Sequence, residues 1–185
     1  MQKIRNMKGF TLVEVAIVLV IVGLVIFGVL KGQEMVKQGK IKKVMNQKND
    51  LTAAVFTYQD KKGGKLPGAA TLPSQIDSYK AFKDLADANL ISGTFTSPAT
   101  DAEKLKTPYG GFIDIAYVNP LPDGKAKNSL VFYDVPEEVV YQLDVSQDDG
   151  VETAPGPPPT YSGGTTGSIQ YTVVAGVATL YFVID

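Results

Sequence analysis

A chain of 185 residues with neither cysteine nor histidine has no disulfide, no thiolate and no imidazole, so the commonest catalytic pairs and metal ligands near neutral pH are excluded. Its length accommodates one anchor and one small globular domain, since domains commonly run about 100–150 residues. The net charge of −1 averages a basic start with an acidic end: residues 1–9 carry Lys3, Arg5 and Lys8 and no acid, residues 31–62 carry eight lysines, and from Asn128 onward there are eight acids and no Lys or Arg.

Residues 10–30 are an apolar run of 21 residues whose only charge is Glu14. As a helix rising 1.5 Å per residue the run spans roughly 32 Å, about the hydrocarbon thickness of a bilayer. It exceeds the about 7–15 apolar residues of a secretory signal, and no small-x-small cleavage pattern follows it. The basic residues before it predict a single pass with the first nine residues in the cytoplasm and the remainder outside.

Lys8-Gly9-Phe10-Thr11-Leu12-Val13-Glu14, followed by Val15-Ala16-Ile17-Val18-Leu19-Val20-Ile21-Val22-Gly23-Leu24, resembles the prepilin signature of type IV pilins and type II secretion pseudopilins. The resemblance implies that prepilin peptidase removes the leader 1–9 by cutting between Gly9 and Phe10 and then methylates the amine of Phe10. It further implies a structural subunit of a type IV pilus or pilus-like filament. Such a subunit is held by lipid in the bacterial inner membrane with its head in the periplasm, and is polymerised with other pilins by an assembly platform and a cytoplasmic motor. The alternative within the resemblance is a minor pilin or pseudopilin, an anchored binding or initiation module for adhesion, DNA uptake or secretion.

The junction also makes physical sense. Gly9 has no Cβ, so a protease approaches its carbonyl closely. A lone carboxylate at Glu14 is costly in lipid and needs a partner; by resemblance that partner is the Phe10 amine of a neighbouring subunit, which fixes the axial register. Snorkelling of Glu14 to the cytoplasmic interface is the other reading. The chain departs from many type IV pilins in lacking a proline in the apolar run and the disulfide that often closes the distal loop. Gly23, Gly28, Gly32 and Gly39 either weaken the helix, each by roughly 1 kcal/mol relative to alanine, or permit close helix packing.

Beyond the apolar run, Ile41, Val44, Leu51, Val55 and Tyr58 recur at alternating spacings of three and four, with Lys48 in the slot between Val44 and Leu51. This is one stripe of an amphipathic helix, and Gly63-Gly64 supplies its stop. One long helix is expected over 11–62, with 31–62 as a stem packed on a sheet. The run from Tyr58 to Leu66-Pro67-Gly68 resembles the stem-to-head junction of pilin-like proteins. A second helix is predicted over 74–90, capped by Ser74, ended by Gly93, and turning Ile76, Tyr79, Phe82, Leu85 and Ala86 inward.

In the head, 63–185, segments 112–118 and 130–135 read as a hairpin around a Pro120-Leu121-Pro122-Asp123-Gly124 turn. Residues 137–143 suit a short helix, 154–164 form a proline- and glycine-rich loop, and 171–184 supply two strands turned near Ala175-Gly176. The expected fold is α+β: a long N-terminal helix packed on a small antiparallel sheet. Asp144, Asp148 and Asp149 are the only candidates for a calcium site. An EF-hand frame from Asp144 fails, with Asp149 where glycine is needed and Pro155 where the bidentate acid belongs, so an acidic surface turn with no cofactor is the simpler expectation. The acidic head opposes nucleic acid as a partner, because nonspecific affinity rests on Lys and Arg; only Lys104 with Lys106, or Lys125 with Lys127, offers a local patch. With carboxylates as the only catalytic candidates, no enzyme is expected.

Overall fold

A computed structural model of the chain describes residues 11–69, 76–96, 103–148, 167–174 and 176–184. Its elements are helix α1 (Leu12–Lys61), α2 (Ser78–Asp87), strands β1 (Ile113–Val118) and β2 (Lys127–Pro136), α3 (Glu137–Gln147), β3 (Ile169–Val174) and β4 (Val177–Val183). The chain divides into two compact units, Met1–Gly39 and Lys40–Asp185. The second contains all four strands, antiparallel in the order β1-β2-β4-β3. The expected α+β class, with a long N-terminal helix and a small antiparallel sheet, is what the structure has.

In the second unit the helical stripe does what its periodicity requires. Val44, Leu51, Ala54 and Val55 of α1 are buried in one core with Ile113, Ile115, Leu130, Phe132, Leu180 and Phe182, which are alternate residues of the strands and therefore share one face of the sheet. Ile41, Met45 and Tyr58 pack against that core from its margin. Lys48 occupies the apolar slot by stretching its stem across the core edge and placing Nζ 5.8 Å from the centre of the Phe182 ring, a cation over an aromatic face.

The end of α1 follows from glycine chemistry. Gly63 takes φ +65°, and Gly64 N–H reaches back to Gln59 O at 2.8 Å, the hydrogen bond that closes a helix on a left-handed residue. The chain then turns through Leu66-Pro67-Gly68. Gly68 has φ +71°, its N–H donates to Asp84 Oδ2 at 2.7 Å, and a Cβ on it would sit 2.3 Å from Asp77 O. Asp84 also accepts from Tyr58; burial, reinforced by the Asp84 charge, raises the phenol above its usual value. One α2 carboxylate thus binds both the last turn of α1 and the turn that follows it.

The second helix is shorter than its pattern suggested. Residues 70–75, with the expected cap Ser74, lie outside the described residues, but Ile76 and Asp77 are not helical and the helix begins at Ser78. It ends at Asp87 and is closed by Asn89, not Gly93. Asn89 adopts φ +55°, its N–H bonds Ala86 O at 2.9 Å, and Leu90 N–H bonds Leu85 O at 3.0 Å. Asparagine is the residue that most readily replaces glycine in this conformation. Replacing Asn89 with alanine should lower the unfolding free energy by about 1 kcal/mol, whereas Asn89→Gly should leave it unchanged or slightly raised, as read by thermal unfolding of the two variants. As expected, Ile76, Phe82 and Leu85 are buried and Ala86 partly so, with Phe82 stacked on Phe95 at 5.4 Å.

The predicted hairpin forms, in the register Ile113↔Phe132 to Val118↔Lys127. Its turn folds back over the other face of the sheet: Leu121 is buried, and Asp123 N–H donates to Gln170 Oε1 at 3.2 Å, reaching past β2 and β4 to β3. Lys125 N–H donates to Asp123 Oδ1 and holds that carboxyl below its usual range. On the same face Asp114 is buried and pairs with Lys104 at 3.0 Å, the Lys104 Nζ lying 4.9 Å from the Phe112 ring centre. At the outer edge of β1, Ile113 N–H donates to Leu105 O, Ile115 N–H to Asp114 Oδ1 and Tyr117 N–H to Ile76 O. The second hairpin is β3–β4, paired from Ile169↔Phe182 to Val174↔Val177 around Gly176. Ala175 and the 154–164 loop lie outside the described residues.

Candidate processing and assembly site

The described start of α1 is a reciprocal cap. Thr11 C=O accepts the first helical bond from Val15 N–H at 3.3 Å, and Thr11 Oγ accepts from Glu14 N–H at 3.2 Å. In return Glu14 Oε2 accepts both Thr11 N–H, at 2.8 Å, and Thr11 Oγ–H, at 2.9 Å. This is a capping box, in which the first and fourth residues of the helix start satisfy each other's otherwise unpaired donors. The acid also sits in the first turn, where the helix dipole favours a negative charge.

Beyond the cap, every residue from Thr11 to Val36 is exposed on the isolated chain, including Leu12, Val18, Leu24 and Phe27. An apolar helix with no core of its own is a surface that requires another apolar environment. By length and composition α1 is able to cross a membrane. At the end of the apolar run Lys31 Nζ pairs with Glu34 Oε2 at 2.7 Å, one turn apart and both exposed, and the lysine holds the Glu34 carboxyl below its usual range.

A family model described as the prokaryotic N-terminal methylation motif matches residues 4–30. The chain carries that methylation motif. It is the signal motif of type IV pilins and pseudopilins, and it spans the Gly9-Phe10 junction, the Thr11–Glu14 cap and the apolar run in a single stretch. No curated protein and no solved structure matches the chain. The methylation motif implies processing by prepilin peptidase and assembly with other pilins, and its apolar helix accords with membrane anchoring.

Of the residues singled out from sequence, Glu14 stands in the cap, while Gly9 and Phe10 lie outside the described residues. Thr11 was not singled out, although Thr11-Leu12-Val13-Glu14 before an apolar run is the sequence form of a capping box. Of the three aspartates named for calcium, Asp144 belongs to a helix and Asp148 follows it. Asp144 to Gln147 are the last turn of α3, and Asp144 is buried. Asp148 follows the helix, and its Oδ2 accepts Ile169 N–H at 2.7 Å, tying the end of α3 to the start of β3; Asp149 lies outside the described residues. Among the described residues no three acidic side chains come together as a metal site.

Proposed function

We propose that the chain is the precursor of a structural subunit of a type IV pilus or pilus-like filament. The observation that carries this reading is the methylation motif at residues 4–30, and the exposed apolar helix behind it supports the same conclusion. The precursor is inserted once in the bacterial inner membrane with residues 1–9 cytoplasmic and the head periplasmic. Prepilin peptidase cuts between Gly9 and Phe10 and methylates Phe10. The subunit then waits in the membrane until a cytoplasmic motor, acting through an inner-membrane platform, draws it into the filament, where the apolar helices of neighbouring copies replace lipid.

Chemistry gives Glu14 its role in that exchange. A charged carboxylate in an apolar helix bundle is stabilised by a cation brought into the same low-dielectric region, and each incoming subunit offers one in the amine of Phe10. Pairing of the two fixes how far one helix slides along the next.

Terminal mass spectrometry of the membrane-extracted protein tests the processing step. The expected mature chain begins at Phe10 with a methylated amine, and Gly9→Val should leave the nine-residue leader attached on most of the protein. A mature terminus near residue 30 would instead mean that the apolar run is a cleaved secretory signal.

A further inference from the structure

We infer that the lysines following the apolar run bind the phosphates of anionic phospholipids in the leaflet from which the head emerges. The inference rests on the membrane-spanning reading of residues 10–30 given above and adds a lipid class to it. Residues 31–43 hold five lysines, Lys31, Lys37, Lys40, Lys42 and Lys43, against one acid, Glu34. Glu34 is paired with Lys31, and no further acid occurs before Asp50. Positive charge is therefore concentrated directly beside the membrane segment. Orientation does not account for it, because orientation is read from lysines and arginines on the cytoplasmic side.

A second feature places the start of this stretch among the headgroups rather than in open water. Met35 and Val36 of α1 are 69% and 62% exposed, so apolar surface continues past the first lysine. A helix rises about 9 Å from residue 31 to residue 37, a little more than the about 5–7 Å of polar zone on one side of a bilayer. Met35 and Val36 then stand at headgroup level, where Lys31 and Lys37 lay their stems along apolar surface and present Nζ to phosphate. Lys40, Lys42 and Lys43 are exposed and add to the same field, but screening over about 8 Å leaves Lys31 and Lys37 with most of the effect. Each lysine near the surface favours an anionic over a zwitterionic lipid by about fivefold. The acidic head of a second copy is the rival partner by charge. Lipid is favoured because these lysines and Met35 and Val36 adjoin the membrane segment itself, so a stored subunit meets headgroups before it meets another copy.

The test uses the full chain at one copy per nanodisc, with photoactivatable phosphatidylglycerol or phosphatidylcholine reactive near the headgroup, and maps the label to residues by mass spectrometry. Mapping separates residues 31–43 from the basic leader. Phosphatidylglycerol should label residues 31–43 at least about fivefold more than phosphatidylcholine, and about 1 M salt should shrink the preference. Lys31→Gln, Lys37→Gln, Lys42→Gln and Lys43→Gln combined should bring the ratio close to one, whereas arginine substitutions at the same four positions should keep it. Lys40 is left in place because its Nζ packs over the Tyr109 ring. Equal labelling of the parent by the two lipids, or a preference that survives the glutamine variant, would overturn the inference. Carbodiimide coupling of these lysines to carboxylates of a second copy in crowded membranes, without any lipid preference in single-copy nanodiscs, would assign them to the other subunit instead. A lipid reactive at its chain end should label residues 10–30. Without that label the anchor reading itself has failed, whereas that label with no headgroup preference at 31–43 removes only the role of the lysines.

Discussion

Glu14→Val should insert into the membrane as well as the parent protein, or better, and yet be nearly absent from sheared filaments. The substitution removes the only charge in residues 10–30, and taking an acid out of a membrane segment lowers the free energy of insertion. Assembly is affected oppositely. On the proposed pairing the variant leaves the Phe10 amine of the neighbouring subunit without its partner, and stranding one half of a buried pair costs about 3–5 kcal/mol. That is a loss of at least about a hundredfold in the equilibrium for adding a subunit. Valine also ends the exchange of bonds with Thr11, which removes the cap as well as the charge. Comparing membrane-fraction and sheared-filament amounts reads the two effects separately. Equal incorporation of the variant would mean that Glu14 snorkels to the interface and takes no part in register.

The second large effect is expected in the head, at a residue remote from the motif. Gly68→Ala should destabilise the folded head by about 3–5 kcal/mol. Two independent costs meet at this position. The backbone stands at φ +71°, where an L side chain is strained, and the added Cβ would lie 2.3 Å from Asp77 O and 3.0 Å from Ala81 N. Both obstacles are backbone atoms at the start of α2, so no rotamer change relieves them. Moving the turn away would also release Gly68 N–H from Asp84. Thermal unfolding in detergent should show a lowered midpoint for Gly68→Ala, and limited proteolysis should open the chain near the end of α1. A midpoint within a degree or two of the parent would show that the turn relaxes more easily than this packing implies.

The sequence was most legible where local chemistry decides the structure. The α1 stripe of Val44, Leu51 and Val55, the Gly63-Gly64 stop and both hairpins follow from periodicity and turn residues, and the structure places them within a few residues of their expected bounds. It was less legible where a polar residue performs a task usually given to another type. Asn89 ends α2 where glycine was sought. The run Asp144-Val145-Ser146-Gln147 looks like a loop by composition, yet it continues α3, whose Val139, Val140 and Leu143 are buried against the sheet. The strand order was not legible at all, because β2 pairs with β4 across a long stretch of chain and no local signal specifies that partner. At the motif, Glu14 stood out as a lone charge, while Thr11 looked like one more uncharged residue. The Thr-x-x-Glu spacing carried the signal of the cap, and the geometry shows its bonds.

On the proposed function the chain waits in a membrane before use, and such a subunit must avoid polymerising by the wrong route. Exposed sheet edges are the usual route to misassembly, since a row of unpaired amides templates another strand. Along β1 that row is already occupied: Leu105 O, the Asp114 carboxylate and Ile76 O take up the outward amides of Ile113, Ile115 and Tyr117. Another copy meeting this edge finds these three donors already bound. Pairing of copies through the β1 edge is therefore blocked at these three donors.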